Sequence, residues 1–129
     1  MSKGLQLSQI TKYYEEGGNR VAALDHVSIS VEPGEFVAVV GPSGSGKSTF
    51  LSIAGALLRA SEGEVILNGH NLSKMSDKEL SNIRLREIGF IMQSSNLVPY
   101  LNVLDQLLLV KKMSGRVTSE NRSFAIKLL

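Results

Sequence analysis

The 129-residue sequence contains no cysteine, which excludes a disulfide framework and thiolate chemistry and suits a reducing compartment. No apolar run exceeds a few residues, far short of the roughly 20 that a spanning helix needs. The opening stretch, "MSKGLQLSQI", lacks the basic-then-apolar order of a signal peptide. These absences predict a soluble chain. Neither sign of charge dominates, with 14 lysines and arginines against 12 acids and a net charge of +2. Lys111, Lys112, Arg116, Arg122 and Lys127 lean the C-terminal end mildly positive. That pattern reads as a solvated face, and no nucleic-acid partner is expected. There is no internal repeat and no low-complexity tract. The length is that of one small domain, and 43% hydrophobic with 20% charged residues is ordinary for a globular protein.

Several elements are legible. "LQLSQITKYY" alternates loosely and reads as a strand, and "HVSISV" alternates cleanly, with Val27, Ile29 and Val31 on one face. "EEGGN" between them supplies a turn, and Pro33 and Gly34 supply another. "FVAVV" (residues 36–40) is a continuous apolar run, the pattern of a strand buried on both faces of a parallel sheet. Residues 47–58 read as a mostly buried helix, and "EVIL" as a short strand ending in the Asn68, Gly69 turn. Ser76 and Glu79 form a capping box at the start of a helix that runs to about Arg86. "IGFIM" predicts a further strand, and "SSNLVP" a loop. Asn102 predicts the cap of a helix over residues 103–112, which Ser114 and Gly115 break. A last helix starts near Ser119 with no stop signal before Leu129, which predicts that it runs on.

The chemistry begins at "GPSGSGKSTF", which fits G-x-x-x-x-G-K-[ST] between an apolar run and a helix. A phosphate presents negative charge and many acceptor oxygens. Successive backbone N–H groups in a glycine-rich turn, running into a helix N-terminus, match it with donors and the positive end of a dipole. Gly41, Gly44 and Gly46 let the backbone curl tightly, and Ser43, Ser45 and Thr49 complete the loop. Lys47 is placed to reach the terminal phosphates, and the Ser48 hydroxyl to ligate Mg²⁺. Such a loop serves kinases, GTPases, motors and transporters alike, so base recognition has to come from elsewhere. His26 and His70 read as isolated polar turn residues, and no cluster has metal-ligand spacing.

"GPSGSGKST", with Pro42 and alternating serine and glycine, resembles the phosphate loop of ATP-binding-cassette (ABC) ATPase domains. "ITKYY" is similar to the family's aromatic loop, and "LDHVSISVEPGEFVAVVGPSG" to its lead-in. "IGFIMQSSNLVPYLNVLDQLLL" is similar to its glutamine loop. "IRLREIGFIMQ" and "LVPYLNV" most resemble the branch that powers lipoprotein release and macrolide or peptide export. Met92, Gln106 and the Ala60, Ser61 pair depart from that pattern.

The resemblance covers residue 5 to the C-terminus and implies an α/β, P-loop NTPase core of the ABC ATPase type with an antiparallel β subdomain. It implies that residues 1–92 hold the nucleotide-binding core and that residues 93–129 hold the glutamine loop and the start of a helical subdomain. It further implies ATP and Mg²⁺ as cofactors, and adenine stacked on Tyr14, with Tyr13 as runner-up. Gln93 would approach Mg²⁺ and the attacking water, beside Lys47 in the catalytic role. The implied partners are a second ATP-binding subunit and a membrane permease, and the implied place is cytoplasmic, at the inner face of the cell membrane.

Hydrolysis in such proteins also needs a carboxylate at the end of a second buried strand. No run of about four apolar residues ends in Asp followed by Glu. "LSGGQ" is missing as well, and "MSGRV" is no substitute. The expectation is therefore the front part of an ABC ATP-binding domain, stopping before the second acid strand. Its phosphate cradle should work, its turnover should be near background, and the chain alone should be marginal, oligomeric or partly molten. A nucleotide- or partner-binding chain without catalysis, and part of a soluble ABC ATPase outside transport, are the alternatives.

Overall fold

The alternation along residues 5–31 closes into a long hairpin. In the computed structural model, which describes residues 4–129, β1 (Leu5–Glu16) and β2 (Asn19–Val31) pair antiparallel. Gly17 and Gly18, both at positive φ, make the turn between them. β3 (Glu62–Leu67) adds to the other edge of β1, and the two-residue β4 (His70–Asn71) adds to β3. The sheet order is β2-β1-β3-β4.

Bulges set which side chains share a face. From Leu7 to Ile10, β1 advances three positions while β2 advances two, and the extra residue, Gln9, takes φ 51°. Leu7 and Ile10 therefore point the same way, and both are buried. Farther along, β2 carries the extra residue, with His26 at φ 48° and its N–H donated to Thr11 Oγ1 at 3.1 Å. His26 is thus a bulge residue within β2 and not a turn residue. Gly63 lies against the first bulge, where any Cβ would meet the carbonyls of Ser8 and Gln9. A larger residue there would push β3 off β1.

Leu7, Ile10, Leu24 and Val65 pack in one core with Ile53, Ala56, Leu72 and Leu80. Ile53 belongs to α1 (Lys47–Ala54), Leu72 to a 3₁₀ turn (Leu72–Lys74) and Leu80 to α2 (Asp77–Glu87). The first helix stops earlier than its apolar content predicts. Ala56 turns left-handed at φ 56°, and the N–H groups of Ala56 and Leu57 return to the carbonyls of Ile53 and Ser52. That is a Schellman ending, with alanine where glycine is usual.

The predicted capping box at Ser76 forms. The Glu79 carboxylate accepts from both the hydroxyl and the N–H of Ser76, each at 2.7 Å. The Ser76 hydroxyl bond, followed by the backbone bond, holds the Glu79 carboxyl below the ordinary glutamate range. A depressed folded value means that this cap's contribution is complete above the unfolded value and is lost as pH falls through the folded one. NMR titration should show Glu79 ionising below a solvent-exposed glutamate, and Ser76→Ala should return it towards that value.

Residues Gly89–Leu129 form a second compact unit. It holds α3 (Val103–Ser114) and α4 (Ser119–Lys127), with Leu108 and Ala125 buried. Asn102 caps α3 by accepting from the Asp105 N–H at 2.8 Å. Gln106 does more than pack. Its amide donates to the Val98 carbonyl at 2.6 Å and accepts from the Val98 N–H at 3.2 Å, clasping the preceding loop to α3.

Two predicted strands differ from expectation. Residues 36–40 and 88–92 carry no sheet pairing among the described residues. Phe36 is 97% exposed and Ile91 98% exposed. An apolar run without alternation is the pattern of a strand paired on both edges and covered on both faces. The described residues provide neither for these two segments, so the pattern is present without the ladder.

Candidate functional site

The loop at residues 41–49 leads into the N-terminus of α1. Ser45 donates its N–H to the Pro42 carbonyl at 3.3 Å, and the first helical bond runs from Phe50 N–H to the Gly46 carbonyl at 2.8 Å. Gly46 occupies the position before the helix at φ 90°, ψ 5°, with no side chain capping the end. The first N–H groups of α1 are thus left for something other than a cap. Gly46 is required twice over: a Cβ there would be left-handed and would run into the Ala23 carbonyl of β2.

Lys47 folds back over the loop. Its ammonium donates to the carbonyls of Gly41 at 2.8 Å and Pro42 at 2.6 Å, and lies 3.3 Å from Ser45 Oγ. Gly41, Ser43, Gly44, Ser45 and Ser48 are exposed around it, and Thr49 is half-buried. Beside the loop lies a groove of about 530 Å³, lined mainly by apolar side chains that include Leu24, Val27, Val39 and Phe50.

The hairpin brings an aromatic residue to the same face. In β1, Ile10, Lys12 and Tyr14 alternate onto the side that carries the core. Lys12 pairs across to Leu24, whose side chain borders Gly46. Tyr14 lies two residues farther along, about 7 Å down the strand, opposite Val21. It is 44% exposed, with the Lys12 ammonium 5.5 Å from its ring centre. Tyr13 points to the other face, and the Arg20 guanidinium lies over its ring at 3.8 Å.

Gln93 sits at an exposed bend of the second unit, ahead of α3. Among the described residues no group of three or more His, Cys, Asp or Glu side chains gathers to hold a metal ion. His26 contacts Asp25, and His70 lies 3.8 Å from Glu87. Among the described residues no helix is long and apolar enough to cross a membrane.

The residues fit a phosphate-bearing nucleotide. The loop is free of side chains where its backbone turns, it opens onto uncapped helix N–H groups, and it carries one ammonium at its centre. Three features in the surroundings of this loop have little or no signature in the sequence. Arg20 over Tyr13 has none, because the register of the hairpin places it. The contact of Ala23 with Gly46 arises from tertiary packing. Lys12 stands two residues before Tyr14 in "ITKYY", but its contacts appear only in the fold.

Comparison with known proteins converges on one family. The ABC transporter family model matches residues 24–128. HrtA of Staphylococcus haemolyticus, a protein named for hemin import, is 48% identical over 97% of this chain and 56% of its own length. The ATP-binding protein MJ0796 of Methanocaldococcus jannaschii is 41% identical over 92% of the chain and 51% of its own. The macrolide export protein MacB of Hyphomonas neptunium is 38% identical over 97% of the chain and 19% of its own length. The dimeric MJ0796 cassette bound to ADP and Pi superposes with a TM-score of 0.90, covering 95% of this chain and 54% of that one. The chain spans about half the length of HrtA and MJ0796. The fold is therefore α/β, of the P-loop ABC ATPase type. With a glycine-rich loop running into the start of α1, and a family match that runs from β2 to α4, this chain belongs to the ABC transporter family.

Proposed function

We propose that this chain is the nucleotide-holding part of an exporter-like ABC transporter subunit, binding ATP between the phosphate loop and the Tyr14 ring. The observation that carries the proposal is the shared face: Lys12 and Tyr14 extend the same side of the sheet whose Leu24 borders Gly46. A nucleotide has an aromatic base at one end and phosphates at the other, and this face offers a ring and a loop of donors. Tyr13 is the weaker candidate, because it faces away and Arg20 already covers its ring.

In this reading, Gly41, Ser43, Gly44, Ser45 and Gly46 surround the phosphates with backbone donors. Lys47 turns its ammonium from the loop carbonyls towards them. Thr49 and the other first-turn N–H groups of α1 add the positive end of the helix dipole. Ser48 would ligate Mg²⁺, which when bound neutralises phosphate charge, and the role of Gln93 towards the same ion is proposed from the family resemblance of its sequence alone. Residues 1–92 act as the nucleotide core, and residues 93–129 as the glutamine loop with the start of a helical subdomain. In the working transporter the partners are a second ATP-binding subunit and a membrane permease. The assembly lies at the cytoplasmic face of the membrane, where hydrolysis drives transport.

The lack of an apolar run ending in Asp and then Glu argues that this chain on its own holds nucleotide without turning it over. Titration calorimetry of the 129-residue chain with Mg-ATP should show one binding event per chain. A phosphate-release assay on the same sample should stay at the buffer rate. A folded sample without binding heat would overturn the proposal, and phosphate release above buffer would overturn its non-catalytic part.

A further inference from the structure

The far end of the hairpin is fastened to residues 59–61, the connection between α1 and β3, at three points. The Thr11 carbonyl accepts from the Ser61 N–H at 2.8 Å. The Tyr13 N–H donates to Ser61 Oγ at 3.1 Å. The Lys12 ammonium donates to the Arg59 carbonyl at 3.0 Å. That connection is itself held, because the Arg59 guanidinium donates to the Met75 carbonyl at 2.7 Å and to Asp77 at 2.9 Å. From this anchored position the same Lys12 ammonium lies 5.5 Å from the centre of the Tyr14 ring.

We infer that Lys12, with Ser61, is a positioning residue for the Tyr14 ring. The inference rests on the reading that Tyr14 stacks on the base. A tyrosine near a hairpin end turns about two side-chain torsions and would sample several directions in water. Base stacking then has to overcome that freedom each time the nucleotide binds. A cation on one ring face selects the rotamer that keeps the contact, and leaves the opposite face for the base. The cation can do this only if it is itself placed, and the Arg59 carbonyl places it. Ser61 holds the strand backbone on either side of Lys12, so that the ring starts from a defined point. Lys12 and Ser61 then contribute to affinity for the base without touching it.

The test compares Mg-ATP with inorganic tripolyphosphate, which uses the phosphate loop alone, by calorimetry on the full chain. Tyr14→Ala should weaken ATP about tenfold or more and leave tripolyphosphate unchanged. Lys12→Met keeps the aliphatic stem and removes the charge. It should weaken ATP about threefold to fivefold, again with no change for tripolyphosphate, and Lys12→Arg should restore most of the loss. Ser61→Ala should show the same selective loss. The Lys12→Met/Tyr14→Ala double variant should bind ATP no worse than Tyr14→Ala. A loss in Tyr14→Ala with none in Lys12→Met overturns this inference and spares the reading of Tyr14. Equal losses for both ligands in Lys12→Met, or additive losses in the double variant, also overturn it, because they mark a general fold effect. Unchanged ATP binding in Tyr14→Ala overturns the reading of Tyr14 and this inference together.

Discussion

Replacing Lys47 by alanine is expected to abolish measurable Mg-ATP binding while leaving the melting behaviour of the chain close to unchanged. The two effects separate because of where the ammonium sits. It rests on the carbonyls of Gly41 and Pro42, which are exposed. When the lysine is removed, water takes over those acceptors at little cost. Phosphate oxygens lose a charge-assisted donor that water does not replace with comparable strength. Losing a hydrogen bond to a charged group costs about 1.5–3 kcal/mol, or roughly tenfold to a hundredfold and more in affinity, which carries an already weak binding event out of the measurable range. Titration calorimetry checks the outcome directly. Unchanged ATP binding in Lys47→Ala would remove the phosphate loop from the site.

The isolated chain is also expected to self-associate through residues 36–40 in sedimentation, and to melt over a broad range. Phe36 is 97% exposed and Val40 87% exposed, in a stretch with no ladder partner among the described residues. Covering a fully exposed phenylalanine or valine is worth about 1.5–3 kcal/mol each, and unpaired N–H and C=O groups along the run invite another strand. Phe36 and Val40 together supply about 3–6 kcal/mol, from which the cost of association is deducted, so the expected association is weaker than the roughly 8 kcal/mol of a micromolar complex. Phe36→Lys places a charge on that edge and should shift the weight-average mass down towards the monomer. A monomer that melts cooperatively would overturn this expectation, as would a mass unaffected by the Phe36 substitution. ATP affinity measured on the same samples shows whether association competes with the neighbouring loop.

Much of the local structure was determined by short-range chemistry and is legible in the sequence. Ser76 with Glu79, Asn102 before α3, Gly115 after it, and the Gly17, Gly18 turn each act within four residues. Their geometry therefore needs no distant partner. The glycine-rich loop at residues 41–49 belongs to the same class, because a strand-like run, a glycine turn and a helix start are contiguous along the chain. Interactions across long separations were decided only by the tertiary structure. The bulges at Gln9 and His26 choose which side chains of the hairpin face the core. That choice sets Tyr14 on the side of Gly46 and turns Tyr13 away, a difference between adjacent tyrosines that composition cannot express. The early end of α1 is a local ending at the left-handed Ala56 that the apolar content of the segment does not announce, and the clasp of Gln106 on Val98 joins residues eight apart. The apolar runs at residues 36–40 and 88–92 show the limit most clearly. Their composition specifies two covered faces and two paired edges, but pairing is a property of neighbouring strands, and no residue within the run can provide it.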